Sequence, residues 1–181
     1  SHHIEALLFL LSDENNEVKL QTLRLLGRLA VSNPAAVLPP LRLLLMRLIS
    51  EIKNSGDNKL KEEATLLLCT FLRASSLQTI IRPFMGVLIS SLPLGINVKN
   101  SDVRLMTAGL EALGELCKVM EVDVLPFADQ LLPIIIANMS GYGTMKKQEM
   151  ATRTLGQLVN ATGQVVTPYL QYPNLLPTAL S

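Results

Sequence analysis

The sequence predicts an all-α solenoid, a row of antiparallel helical hairpins, and three observations carry that prediction. The first is a four-fold internal repeat. Pro39, Pro83, Pro126 and Pro168 recur every 42 to 44 residues, each two positions after Val37, Ile81, Val124 or Val166. Twelve or thirteen residues before each proline stands a small residue (Gly27, Thr70, Gly114, Gly156), and eight to ten residues further back a basic one (Lys19, Lys61, Arg104, Lys147). The second observation is apolar spacing of three and four residues, with no stretch alternating long enough to read as a strand. The third is size: a unit of this length cannot bury its own apolar face, so units must stack.

Taken in order, the elements follow from spacing and breakers. Ile4–Leu11 reads as half of a helical pair. From Glu17 to Val31 the apolar residues Leu20, Leu23, Leu26, Leu29 and Ala30 share one helical face. Ser32-Asn33-Pro34 ends that helix, because proline disfavours helical geometry in the residue before it. A second helix is expected from Val37 to Lys53, with Pro39 and Pro40 in its first turn, where a missing N–H costs little. The turn Asn54–Asn58 follows. The pattern then repeats as Lys59–Ala74 with Leu77–Leu92, the loop Gly95–Asn100, Asp102–Met120 with Val124–Met139, and the turn Ser140–Thr144. Met145–Ala161 and Val165–Leu170 begin the fourth unit. The expected organisation is a single solenoid fragment over residues 1–181, with units near 1–55, 56–98, 99–141 and 142–181. Short turns make successive helices antiparallel neighbours.

Composition narrows the function classes. Of 181 residues, 49% are hydrophobic and 17% charged, with a net charge of +1; the mean hydropathy is +0.34. A membrane span needs about 18 uninterrupted apolar residues. The longest apolar runs are interrupted by Arg82 and Pro83, and by Asp123, Asp129 and Gln130, so no span is expected. The apolar excess suggests surface covered by the rest of a longer chain. Neither end shows a polar capping repeat, which suggests a piece of a larger solenoid. No basic stripe with stacking aromatics is present, so nucleic acid is not an expected partner. Cys69 and Cys117 fall inside apolar helical patterns and read as buried thiols of a reducing compartment. The sequons at Asn138 and Asn160 read as chance matches at helix ends.

Glycine inside a helix costs roughly 1 kcal/mol relative to alanine. Its recurrence at Gly27, Gly114 and Gly156 therefore points to close approach of a neighbouring helix. Thr70 predicts a wider crossing, and Gly114→Leu should overpack. The recurring basic residue sits in the first turn of its helix, where the dipole opposes it. A partner in the preceding turn is expected, either an aspartate or a backbone carbonyl. The alternative, an anion-binding stripe, is the less favoured reading.

These residues resemble HEAT repeats. That family carries a proline in its first helix, an aspartate in the turn, and a Val-Arg or Val-Lys pair opening the second helix. Asp13 with Val18-Lys19 fits; Val103-Arg104 and Leu60-Lys61 keep the pair, and Lys146-Lys147 keeps the basic member. The aspartate is absent from later units, where Ser55, Val98 and Gly141 or Thr144 stand. A narrower similarity runs through Leu26–Ala35, Val37–Pro39, Pro40–Arg42, Lys61–Ala64, Thr154–Val159, Thr162-Gly163, Val165-Val166, Pro168-Tyr169 and Tyr172-Pro173. In that order and spacing they are similar to the amino-terminal HEAT region of target-of-rapamycin (TOR) kinases. The resemblance implies a cytoplasmic serine/threonine kinase as parent chain. This segment would then be a scaffold far from the kinase domain, supporting assembly with a raptor-type accessory subunit and the rest of the parent in nutrient and growth signalling. The alternative is a free-standing HEAT adaptor that binds peptides or helices in its groove.

No catalytic, cofactor or metal constellation is visible. Kinase glycine-loop and aspartate motifs are missing, and the histidines are confined to His2 and His3. Aligning the glycine helices by period makes Arg24, Leu67, Glu111 and Arg153 equivalent, with Arg28, Phe71, Glu115 and Gln157 one turn later. This yields one candidate protein contact: an apolar patch of Leu67 and Phe71 rimmed by Arg24 and Arg28 on one side and Glu111 and Glu115 on the other. The competing reading is that Thr70 shifts the register and turns Phe71 inward. Solvent exposure of Phe71 decides between them.

Overall fold

The computed structural model describes residues 2–92, 102–140 and 143–163, and every regular element among them is helical. The expected loop Gly95–Asn100, Gly141 and Tyr142 of the third turn, and the helix expected at Val165–Leu170 lie outside the described residues. The chain divides into two compact units, Ser1–Pro93 and Leu94–Ser181.

The first unit holds α1 (His2–Leu10), α2 (Asn16–Ser32), α3 (Pro34–Val37), α4 (Leu41–Asn54), α5 (Asn58–Arg73), α6 (Gln78–Ile81) and α7 (Met85–Ser91), with 3₁₀ turns at Ser75–Leu77 and Arg82–Phe84. Helix α2 packs on α5, and α4 packs on α5, α6 and α7. The unit therefore has two layers, α2 with α5 and α4 with α6–α7. Between them lie Leu23, Leu26, Leu44, Leu48, Leu68 and Phe71, none more than 2% exposed. The second unit holds α8 (Val103–Met120), a 3₁₀ segment (Glu121–Phe127), α9 (Ala128–Met139) and α10 (Met145–Thr162). Here α10 packs on α8, on α9 and on the 3₁₀ segment.

Helix starts are fixed by side-chain caps. The Asn15 side chain accepts the Glu17 N–H at 2.9 Å. Asp57 accepts those of Lys59 and Leu60 at 2.9 and 3.3 Å. Asp102 does the same for Arg104 and Leu105 at 2.9 and 3.2 Å, and Thr144 accepts the Lys147 N–H at 3.3 Å. Each satisfies donors that a helix leaves unpaired at its first turn. The turn residue ahead is satisfied too. Asp13 accepts the Asn15 N–H at 2.8 Å, and Ser55 accepts the Asp57 N–H at 3.1 Å. Ser55 thus performs in the second repeat the task that Asp13 performs in the first.

The proline-bearing helices differ from expectation. Among the described residues, none of the three runs unbroken from Val37, Ile81 or Val124. The chain turns between α3 and α4 at Leu38–Pro40, passes through 3₁₀ geometry at Arg82–Phe84, and does so again at Glu121–Phe127 around Pro126. Proline offers no N–H and crowds the carbonyl four residues back. The local solution is tighter bonding: Leu38 N–H donates to the Ala35 carbonyl and Leu41 N–H to the Leu38 carbonyl. Each such helix is therefore a short lead-in joined to a longer second piece.

The glycine expectation holds at Gly114. A Cβ built there would run into the Gln157 amide oxygen of α10 and come within 3.4 Å of the Thr154 hydroxyl. That hydroxyl reaches across to the Leu110 carbonyl of α8 at 2.7 Å, and also lies 2.9 Å from its own helix's Met150 carbonyl. The expectation does not hold at Gly27, whose neighbour is Leu67 Cδ1 at an ordinary 3.6 Å, nor at Gly156, where a Cβ would meet nothing within 4 Å.

Candidate functional site

The residues predicted to form a contact patch are distributed differently from expectation. Phe71 is 0% exposed and Leu67 3%, so this apolar pair belongs to the core between α5 and its neighbours and not to the surface. The physical reason is register. Buried positions of α5 include Leu60, Ala64, Leu67, Leu68, Phe71 and Leu72, a single wide stripe at spacings of three and four. The 44-residue offset that relates Pro39 to Pro83 makes Leu67 equivalent to buried Leu23 and Phe71 to Gly27. An offset of 43 had matched them with Arg24 and Arg28.

The charged members have their own surroundings. Arg24 Nε donates to Glu63 Oε1 at 3.0 Å, tying α2 to α5. Both groups are partly exposed, so the bridge contributes at most about 1 kcal/mol. Arg28 is exposed on α2. In the second unit Glu111 is half-buried on α8. Glu115 is 8% exposed, and its carboxylate lies 3.6 Å from the Lys118 ammonium one turn on.

The recurring basic residues do not share one environment. Lys19 Nζ donates to Glu51 Oε1 at 3.1 Å, so its partner comes from the end of α4 of the same unit, not from the preceding turn. Lys147 is buried at 3% exposure, while Lys61 is half-buried and Arg104 exposed. Around the Lys19–Glu51 pair lies a polar cleft of about 680 Å³, with Asn16, Asn54, Ser55 and Asp57 also on its walls. Its polar groups cap helices and bridge repeats.

Both cysteines are buried. Burial pushes the Cys117 thiol up from 9.0 to about 12, against a smaller lowering by a backbone hydrogen bond, the opposite of what a nucleophile needs. Asn138 is buried, and its amide donates to the Ile134 carbonyl at 2.8 Å. Thr162 of the other sequon bonds within its helix to Leu158 at 3.0 Å. Among the described residues no group of three or more His, Cys, Asp or Glu converges as a metal site. Among them, too, no single helix is long and apolar enough to cross a membrane. Helix α5 with residues 75–91 reaches that apolar content only as a pair bent by 90°.

Repeated caps, a glycine-mediated helix crossing and proline-jointed partner helices define the class: an α-solenoid segment of HEAT type. Its fold is shared with the crystal structure of Kap121p, at a TM-score of 0.78 and 15% identity, covering 99% of this chain and 17% of that one. No protein-family model matches the chain. Its sequence matches a segment of the TOR serine/threonine kinases. It is 35% identical over 170 residues to that of Arabidopsis thaliana, covering 92% of this chain and 7% of the relative. Against TOR2 of Saccharomyces cerevisiae it is 32% identical over 176 residues, 96% of this chain and 7% of the relative. Against the target of rapamycin homolog of Caenorhabditis elegans it is 28% identical over 177 residues, covering 98% and 6%. The chain thus spans about 7% of the length of the curated relatives it matches, and the matched part is a helical solenoid, not a kinase domain.

Proposed function

We propose that this chain is a non-catalytic scaffold segment of a TOR-like serine/threonine kinase, working in the cytoplasm to support complex assembly in nutrient and growth signalling. The observation that carries this reading is the match over more than nine-tenths of the chain to TOR kinases from plant, yeast and animal. Its mechanism is spatial: stacked hairpins hold surfaces at fixed separations while each repeat touches only its neighbours. A raptor-type accessory subunit and the rest of the parent chain are the proposed partners. Among Arg24, Arg28, Leu67, Phe71, Glu111 and Glu115, Arg28 is the exposed one. The free-standing adaptor reading has only the fold likeness behind it.

The test uses the intact parent kinase. Arg28→Glu, and separately removal of this whole segment, are compared with wild type for co-purification of the raptor-type subunit and for phosphorylation of a short peptide substrate. Segment removal should abolish co-purification while peptide phosphorylation persists. Unchanged assembly without the segment overturns the proposal, and Arg28→Glu decides whether that face of α2 participates.

A further inference from the structure

The layer formed by α4 and α6–α7 presents an apolar stripe to solvent. Leu43 and Met46 on α4 are 50% and 57% exposed, and Val87 on α7 is 49% exposed. Single exposed apolar side chains are ordinary, but these three lie on helices that pack together. Between the two elements the Arg42 guanidinium of α4 sits 5.8 Å from the centre of the Phe84 ring, at the 3₁₀ turn leading into α7. On α4, Leu43, Met46, Arg47 and Ser50 fall at spacings of three and four, so apolar stripe and cationic margin run side by side.

The charges of this layer are predominantly of one sign. From Pro34 to Ser55 and from Ser75 to Leu92 the sequence holds Arg42, Arg47, Lys53 and Arg82 against the single carboxylate of Glu51. Glu51 is itself engaged by Lys19 at 3.1 Å. Arg47 and Lys53 are exposed, and neither has an ion-pair partner among the described residues.

We propose that this face docks an acidic amphipathic helix, whose apolar stripe covers Leu43, Met46 and Val87 while its flanking carboxylates meet Arg42, Arg47 and Lys53. Charge complementarity selects the sign of the partner, and apolar burial supplies the attraction. The exposed methionine suits a helical ligand, being the adaptable side chain found where helices dock in apolar grooves. A lipid surface draws on some of the same residue types, Leu and Phe beside basic residues, but the exposed Met46 is the contact adapted to a helix and favours a protein partner. The inference rests on the reading of this segment as an interaction scaffold, and adds to it one surface and the chemistry of its partner.

The experiment uses the intact protein that carries this chain, and a synthetic helix of about 18 residues with a Leu stripe flanked by Glu. A second probe replaces each Glu by Lys. Hydrogen exchange read by mass spectrometry locates binding, and fluorescence anisotropy gives affinity. The acidic probe should slow exchange in α4 and α7, and should bind about tenfold or more weakly to Met46→Glu and to the double variant Arg42→Glu/Arg47→Glu. The double variant should instead prefer the lysine probe. Because both probes are read on one folded protein, a misfolded variant, which would bind neither, is separated from a reversed preference. The proposal is overturned if both probes bind wild type equally or if protection falls elsewhere. It is also overturned if phosphatidylserine vesicles, and not the acidic probe, protect this face at physiological salt, or if the face is already fully protected in the intact protein. None of these readouts depends on the raptor-type subunit, so failure here leaves the assembly proposal standing, and the reverse also holds.

Discussion

Glu121 is the residue whose backbone departs furthest from what its side chain prefers. It closes α8 with φ 53° and ψ −128°, the one non-glycine residue with positive φ among those described. The side chain is exposed, so the geometry is imposed by the chain. Helix α8 must stop and turn into the 3₁₀ segment, and the Glu121 N–H still donates to the Cys117 carbonyl. That region of backbone space disfavours any Cβ but suits glycine. Glu121→Gly should therefore stabilise the protein by about 1 kcal/mol, relief of strain outweighing the greater freedom glycine gives the unfolded chain. Urea unfolding followed by circular dichroism measures it. A Glu121→Ala control should show no gain, since alanine keeps the Cβ. Equal stabilisation by both would mean the side chain, not the backbone, carries the strain.

At the scale of the element, caps and crossings make separate predictions. Asp57→Ala should cost about 1 kcal/mol by orphaning the N–H groups of Lys59 and Leu60, and Asp57→Asn should recover most of it, because either side chain accepts equally well. Thermal melts of the three proteins test this, and equal losses for Ala and Asn would point to charge rather than capping. At the α8–α10 crossing, Gly114→Leu should destabilise by about 1–3 kcal/mol through overpacking. Gly27→Ala should be neutral or stabilising by up to about 1 kcal/mol, because its neighbour is a methyl group at ordinary contact distance. A loss at Gly27 as large as that at Gly114 would remove the distinction between the two crossings. These elements also show what could be read from the sequence. The glycine-bearing helices were legible to within a residue or two, since three-and-four spacing is strong and their ends carry breakers. The breaks at Pro39-Pro40, Pro83 and Pro126 were not, because a proline fits both the first turn of a helix and a joint within one. The cap ladder of Asn15, Asp57, Asp102 and Thr144 was not legible from the Asp13 position, because Asp13 and Ser55 stand two residues ahead of their caps and accept the cap's own N–H. An Asn, Asp or Thr one to three residues before each basic pair was the available signal. Of the two readings of Phe71 the inward one holds, and the outward one failed through a single residue of offset, which on a helix is 100° of rotation. The polar candidates went astray for another reason: whether Arg24 is available or held by Glu63 depends on a residue of the next repeat.

For the molecule as a whole, the two cysteines fall one in each compact unit, Cys69 on α5 and Cys117 on α8. A buried thiol reacts only when its surroundings open, so the pair reports separately on the two units. For Cys117 the protonation state adds a second handle. Burial raises its folded-state pKa from 9.0 to about 12. Well below pH 9 the thiol is protonated whether folded or not, and stability is independent of pH on its account. Between 9 and 12 the unfolded chain ionises this thiol while the folded chain retains its proton. The unfolded state then binds fewer protons, and stability falls as pH rises. Other groups titrate in that range, so the comparison must be with Cys117→Ala, which keeps the helix and removes the thiol. Wild type should lose stability more steeply than Cys117→Ala between pH 8 and pH 10.5 in urea titrations. In the Cys69→Ala background, a disulfide reagent at pH 8 should label Cys117 slowly in buffer and rapidly once the second unit unfolds. Parallel pH slopes with fast labelling in buffer would mean that α8 opens readily and that its burial is not maintained in solution.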